Sequence, residues 1–262
     1  MGMCRIICLA NQKGGVSKTT TALALAAGLS GRGHRVLGVD LDPQGNFTVA
    51  SGVDPLTSPT IYEVFAKKTG CREAIVKSPL GYDVIPSGLS LAGADMEFTQ
   101  TGREFMLQEA LENVKEQYDY ICIDTQPTLG ILTIAALTAS SGGVIVPLGA
   151  DIYSLQGLSQ LSGVIENVRK YCNRDLKILG LLITKFNSRQ NISKTLAVQI
   201  ENAAEQLGTK VFRTKIRESV AVKEVALMQG NIFTEAPRAN ATVDYNDFIN
   251  ELLDSMDIRE EQ

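Results

Sequence analysis

Between Asn11 and Leu29 the chain reads NQKGGVSKTTTALALAAGL. Glycines at 14 and 15, a lysine at 18 and hydroxyls at 19 and 20 are residue types that grip a phosphate. The backbone N–H groups of a glycine-bearing loop point at the anion, and the positive end of the following helix faces it. In such a loop Lys18 reaches the β- and γ-phosphates and the Thr19 hydroxyl holds Mg²⁺. The plain pattern, GxxxxGK followed by Ser or Thr, fails at Gln12 and Ser17. If the loop needs a left-handed backbone at position 17, a serine there costs roughly 1–2 kcal/mol, or about five- to thirty-fold in affinity. Three carboxylates accompany the loop: Asp40 and Asp42 in VDLDPQGN, and Asp124 in YICID. Each closes an apolar run, and ligands of open parallel sheets sit at the carboxyl ends of strands. One strand-end Asp reads equally well as turn chemistry. Three beside a lysine loop suit Mg²⁺ coordination and the positioning of a water.

These side chains need a frame. Apolar runs at 5–10, 35–42, 81–88, 119–124, 143–150 and 177–186 read as strands, with a further strand at 210–216. Helical patterns separate them, at 19–33, 103–118, 131–140, 154–172 and 191–208, and a last helix covers 243–256. Strands apolar throughout and separated by helices predict an α/β fold: a doubly wound, mainly parallel sheet with helices on both faces. Residues 1–262 read as one domain, with the weakest pattern over 50–100, rich in Gly, Pro and Ser.

Composition narrows the function. The chain is 44% hydrophobic and 21% charged, ordinary for a globular protein. It shows no membrane span and no secretory leader, which predicts a cytoplasmic protein. Cys4, Cys8, Cys71, Cys122 and Cys172 form no CxxC pair and read as free thiols. His34 is the single histidine, so a His-based metal site or a Ser-His relay is disfavoured. The net charge of −4 argues against nucleic acid, but its distribution does not. Residues 180–240 carry nine Lys and Arg against five Glu, leaving −8 for the remainder. Such asymmetry marks either an anionic partner on one face or a solvated mixed surface.

The chain resembles the ParA family of partition ATPases (ParA/Soj-like), grouped with MinD and the nitrogenase iron protein as deviant Walker A proteins. KGGVSKTT is similar to the family's KGGVGKTT, VLGVDLDPQGN to its second motif, and YDYICIDTQPTLG to its Walker B segment with DxPP. The similarity runs over nearly all of the chain. It implies ATP and Mg²⁺ as cofactors. Lys13 would cross the interface of an ATP-sandwich homodimer to the partner's phosphates. Gly14, Gly15, Val16, Ser17, Lys18, Thr19 and Thr20 would wrap the phosphates. Thr19 and, through water, Asp124 would hold Mg²⁺, with Asp40 supporting that shell and Asp42 orienting the attacking water. Arg217 and Ser219 fall in the loop beside the adenine. Arg189, Lys194, Arg213, Lys215, Arg217 and Lys223 are the implied contacts to non-specific double-stranded DNA. A ParB-type partner would stimulate hydrolysis on the nucleoid.

The chain departs from the family at four places. Ser17 replaces a glycine, and Gln126 the first proline of DxPP, a segment expected to sense the γ-phosphate. IRESV stands for IPRNV, with Arg217 at the proline and Ser219 at the asparagine. Ala221 stands where the family has a DNA-binding arginine, whereas Arg189 matches another. Rival readings are a nucleotide-binding scaffold with impaired hydrolysis and a MinD-like positioning ATPase. The acidic end VDYNDFINELLDSMDIREEQ disfavours the basic membrane helix of the latter. An iron–sulfur role lacks suitable cysteines, and no segment suggests the small-molecule pocket of a metabolic ligase.

Overall fold

A computed structural model describes residues 3–56, 58–149, 153–187 and 191–257, without the side chains of 153, 191–194 and 257. Seven strands form one sheet in the order β3-β4-β2-β5-β1-β6-β7. They are β1 (Arg5–Leu9), β2 (Val36–Leu41), β3 (Val76–Lys77), β4 (Asp83–Ile85), β5 (Tyr120–Thr125), β6 (Gly143–Gly149) and β7 (Ile178–Thr184). All neighbouring pairs are parallel except β3 with β4. The central runs are buried on both faces: β2, β5, β6 and β7 have no exposed residue. A strand covered on both sides gains no stability from polar alternation, so continuous apolar runs are what this sheet requires.

Two apolar clusters lie on its two faces. One joins Cys8, Ile121 and Val146 to Leu132, Leu161 and Ile200 of the Ile131–Ala139, Tyr153–Tyr171 and Asn191–Gln206 helices. The other joins Ile7, Leu9 and Ile145 to Leu25 and Leu29 of the Lys18–Ser30 helix and to Tyr245, Phe248 and Leu252 of the Asn240–Asp257 helix. Close approach fixes Gly38, where a Cβ would lie 2.4 Å from the Phe47 ring.

Three expected elements come out differently. The 210–216 strand is reduced to isolated bridges, Leu181 with Val211 and Phe186 with Arg217. Glu251 of the last long helix takes the N–H groups of Arg213 and Thr214, at 2.8 and 3.0 Å, so a carboxylate does part of a ladder's work. The 103–118 pattern is split into a Met106–Glu112 helix flanked by short 3₁₀ turns at Arg103–Phe105 and Lys115–Gln117. The 81–88 strand shrinks to Asp83–Ile85. All five cysteines are free, as expected. Among the described residues no helix is long and apolar enough to cross a membrane.

Candidate nucleotide-binding site

β1 ends at Leu9 and the Lys18–Ser30 helix begins nine residues later, so Ala10–Ser17 is the loop between them. Asn11 fixes its start. Its amide donates to the Pro147 carbonyl at 2.7 Å, and its Oδ1 accepts from Lys13 N at 2.9 Å. Val16 is buried, and its carbonyl accepts from the Thr184 hydroxyl at 3.2 Å. The loop is thereby tied to β6 and β7. Gly15 and Ser17 both have positive φ, 74° and 64°. Ser17 takes the left-handed conformation at the helix N-cap, with no side-chain cap, and its carbonyl accepts from Thr21 N at 2.9 Å.

The strain at Ser17 is present in the folded loop before any nucleotide arrives. It therefore subtracts from fold stability. Glycine adopts this backbone without a Cβ penalty but loses more entropy on folding, so the two effects partly offset. Ser17→Gly is expected to stabilise the protein by about 0.5–1 kcal/mol, a rise of about 2 °C in Tm. Calorimetry checks the rise, and ATP titration should show an affinity within about two-fold of the parent.

Lys18 is buried, and its Nζ donates to the Lys13 carbonyl at 3.1 Å. Burial pulls its pKa down, while Asp124 and Asp42 pull it up. Asp124, at the C-terminal end of β5, is fully buried, and neither of its oxygens has a hydrogen-bond partner. Burial first, then Asp40 beside it, push its pKa well above the usual carboxylate range. The Thr19 hydroxyl and Lys18 act the other way, the hydroxyl without completing a hydrogen bond to either oxygen. A buried carboxylate without partners is expensive unless something charged joins it.

Asp40 is also fully buried, but its oxygens are engaged. They accept from Asp42 N at 3.0 Å, Thr48 N at 2.9 Å and the Thr48 hydroxyl at 2.7 Å. Burial raises its pKa to about 6, against these hydrogen bonds. Asp40 thus fixes the turn that presents Asp42. Asp42 accepts from Gln44 N at 3.0 Å and stands in the cavity wall.

That cavity, about 440 Å³, is lined by Gly14, Gly15, Ser17, Lys18, Thr19, Thr20 and Asp42 at one end. Arg217, Ser219, Val222 and Lys223 line the other, with Ala241 and Tyr245 of the last long helix. Lys13 is half-buried at the edge of the loop. The Arg217 guanidinium grips Asp244 through Nε and Nη2 at 2.6–3.1 Å, and Nη2 also reaches the Asn240 carbonyl at 3.2 Å. Tyr245 is buried, and its hydroxyl pairs with the Thr21 hydroxyl at 3.2 Å. Lys185, also in the wall, is exposed with φ 52°.

The fold brings together Lys13 to Thr20, Asp40, Asp42 and Asp124, and places Arg217, Ser219 and Lys223 across the cavity. Arg213 and Lys215 lie near that side. Arg213 is 89% exposed, its Nε 3.7 Å from Glu251, and Lys215 Nζ sits 5.1 Å over the Phe186 ring. Arg189 lies outside the described residues, as does the side chain of Lys194. Sequence reasoning passed over Asn11, Lys185, Asp244 and Tyr245. Lys185 follows the end of β7 and was open to the same strand-end argument as Asp124. Asp244 and Tyr245 carried no local signal, because only tertiary packing brings their helix here.

A loop with a left-handed turn, a buried lysine at its helix start and an orphaned carboxylate on the adjacent strand make this a P-loop NTPase-like protein. The site fits a magnesium-bound triphosphate: anion donors, one buried cation, and one buried carboxylate awaiting a charge partner. Among the described residues no three His, Cys, Asp or Glu side chains gather into a metal site of their own.

A family model described as an AAA domain matches residues 4–178. The sporulation initiation inhibitor protein Soj of Bacillus subtilis is 40% identical over 253 residues, 95% of this chain and 98% of Soj. The chromosome partitioning protein ParA of Myxococcus xanthus is 42% identical over 224 residues, 84% of this chain and 77% of that protein. Among solved structures, cobyrinic acid a,c-diamide synthase of Mycobacterium smegmatis, bound to an ATP analog and magnesium, superposes with a TM-score of 0.83. It is 34% identical, covering 96% of this chain and 95% of that one. The chain belongs to the ParA family of ATPases.

Proposed function

We propose that this protein is an ATP-driven DNA-partition switch. The observation that carries the nucleotide reading is Asp124, buried and unpartnered beside Lys18 and Thr19. In this reading the backbone from Gly14 to Thr20 wraps the phosphates, and Lys18 neutralises their charge. Thr19 and, through water, Asp124 would hold Mg²⁺, which would neutralise phosphate charge there. Asp42 orients the attacking water, and Asp40 supports that shell from behind by fixing Asp42. Lys13 acts in trans on the phosphates of a second copy, so hydrolysis waits for the dimer. Ser219 and the Arg217–Asp244 pair border the base.

The DNA half rests on Arg213, Lys215 and Lys223, with Arg189, Lys194 and Arg217 as further contacts, and on similarity to proteins named for partitioning. Lys and Arg on phosphates give sequence-independent, salt-sensitive binding. A dimer doubles the contacts, so DNA affinity follows the nucleotide state. A ParB-type partner stimulates hydrolysis and releases the dimer from the nucleoid. The second reading, a scaffold that binds ATP without turning it over, rests on Gln126 beside Pro127 in the cavity wall.

The test is binding to non-specific duplex DNA without nucleotide, with ADP–Mg²⁺ and with ATP–Mg²⁺. Binding at least ten-fold tighter with ATP is expected, weakening steeply with salt. Equal affinity in all three samples overturns the switch. ATP-dependent DNA binding without phosphate release selects the scaffold.

A further inference from the structure

The segment Gln126–Gly130 leaves β5 just after Asp124 and leads into the Ile131–Ala139 helix. Pro127 lines the nucleotide cavity, and a Cβ on Gly14 would meet it at 3.9 Å. The segment is held at both ends. Before it, the Thr125 hydroxyl donates to the Leu9 carbonyl at 2.8 Å, and after it the Thr133 hydroxyl donates to the Thr128 carbonyl at 2.6 Å.

The helix start is unusual. Its N-cap is Gly130, which has no side chain to accept from the first free N–H groups. Asp95, thirty-six residues away in sequence, supplies the acceptor: its Oδ1 takes the Ile131 N–H at 2.7 Å. Gly130 is bare because that carboxylate occupies the space. A Cβ there would lie 2.6 Å from Asp95 Oδ2 and 2.8 Å from Oδ1. Asp95 is positioned in turn by its own neighbours. Ala94 is buried in the core beside it, and Arg103 Nη1 donates to the Phe98 carbonyl at 2.8 Å and, more weakly, to the Asp95 carbonyl at 3.4 Å.

We propose that Asp95 is a positioning residue for hydrolysis: capping the Ile131–Ala139 helix from outside, it sets where the Gln126–Gly130 segment stands relative to the phosphate loop. The inference deepens the ATPase reading above and rests on it. The carboxylate also carries its negative charge to the positive helix end, so the contact combines a cap with a dipole interaction. Movement of residues 89–105 and movement of the segment are then one event.

The experiment uses the full chain and four variants: Asp95→Ala, Asp95→Asn, Gly130→Ala and the double variant Asp95→Ala/Gly130→Ala. Asp95→Ala removes the acceptor, and turnover at saturating ATP falls about five-fold while ATP affinity stays within two-fold. Asp95→Asn keeps an oxygen at the cap and retains most of the turnover. Gly130→Ala forces the carboxylate away and behaves like Asp95→Ala. In the double variant the methyl fills space the carboxylate has left, so its turnover is no lower than that of Asp95→Ala alone, the non-additivity of groups in contact. Additive losses overturn the proposal, as does an Asp95→Ala variant with parental turnover. Loss of ATP affinity in step with Tm shows general destabilisation and also overturns it.

Amide hydrogen exchange provides a readout independent of turnover. Asp95→Ala should speed exchange at Ile131 without nucleotide, and should uncouple any ATP-induced change over 126–134 from that over 89–105. A parent that binds ATP and never hydrolyses it defeats the ATPase reading. In that case exchange alone decides the Asp95 contact: unchanged protection at Ile131 sinks it.

Discussion

In the Lys18→Ala variant ATP affinity is expected to fall by at least about 100-fold. The lysine is the buried cation at the start of the phosphate-loop helix, and Asp124 and Asp42 already support its charge. Truncating one partner of a charge pair buried on binding costs about 2–5 kcal/mol, roughly 30-fold to several thousand-fold. Part of that loss precedes any nucleotide. Without Lys18, Asp124 stays buried with one stabilising charge fewer and is driven further toward its neutral form. A neutral carboxyl is a poor partner for Mg²⁺, so the same substitution damages the cation site as well. Isothermal titration with ATP–Mg²⁺ checks the prediction, and near-parental affinity sinks the site assignment. Lys18→Arg is no substitute, because a planar guanidinium cannot occupy a pocket shaped around an ammonium that donates to the Lys13 carbonyl.

Asp42→Asn is expected to separate binding from turnover. The amide keeps an oxygen for Gln44 N, so the turn that Asp40 organises survives. What disappears is the negative charge available to orient a water. General-base and water-positioning groups contribute about 100-fold or more. ATP affinity should stay within a few-fold of the parent, while phosphate release falls by about two orders of magnitude. Turnover unchanged in this variant would remove Asp42 from its role. Asp42→Ala should lose the same activity together with some stability, because Gln44 N then loses its acceptor.

The sheet was legible because its physics is local. RIICL, VLGVDL and YICIDT are buried on both faces, and a continuous apolar run declares such a strand. The phosphate loop was legible for a similar reason: consecutive residues supply its donors, lysine and hydroxyls. Asp124 could be placed at a strand end from sequence, but its lack of any partner could not. That property belongs to the surroundings, not to the segment. KVFRTKI misled because part of its backbone does pair with β7, through Phe212 N and Ile216 N, whereas the Glu251 carboxylate of the last long helix captures the donors of Arg213 and Thr214. The divided helix over 103–118 and the short elements between 46 and 97 follow the same rule, since tertiary contacts such as Glu97 with the Tyr62 hydroxyl decide them. The Arg217–Asp244 pair lay beyond any local pattern.

The pairing of Thr21 with Tyr245 spans 224 residues of chain. Loop closure over such a separation is slow and must precede any reward from the contact. During synthesis the phosphate loop and β1 precede the wall of the cavity that residues 240–257 contribute. A nascent chain therefore carries an open, half-built pocket, with the apolar face of the Lys18–Ser30 helix uncovered until the distant helix docks. The wall that Tyr245 brings to the cavity therefore depends on a helix more than two hundred residues downstream of the loop it faces.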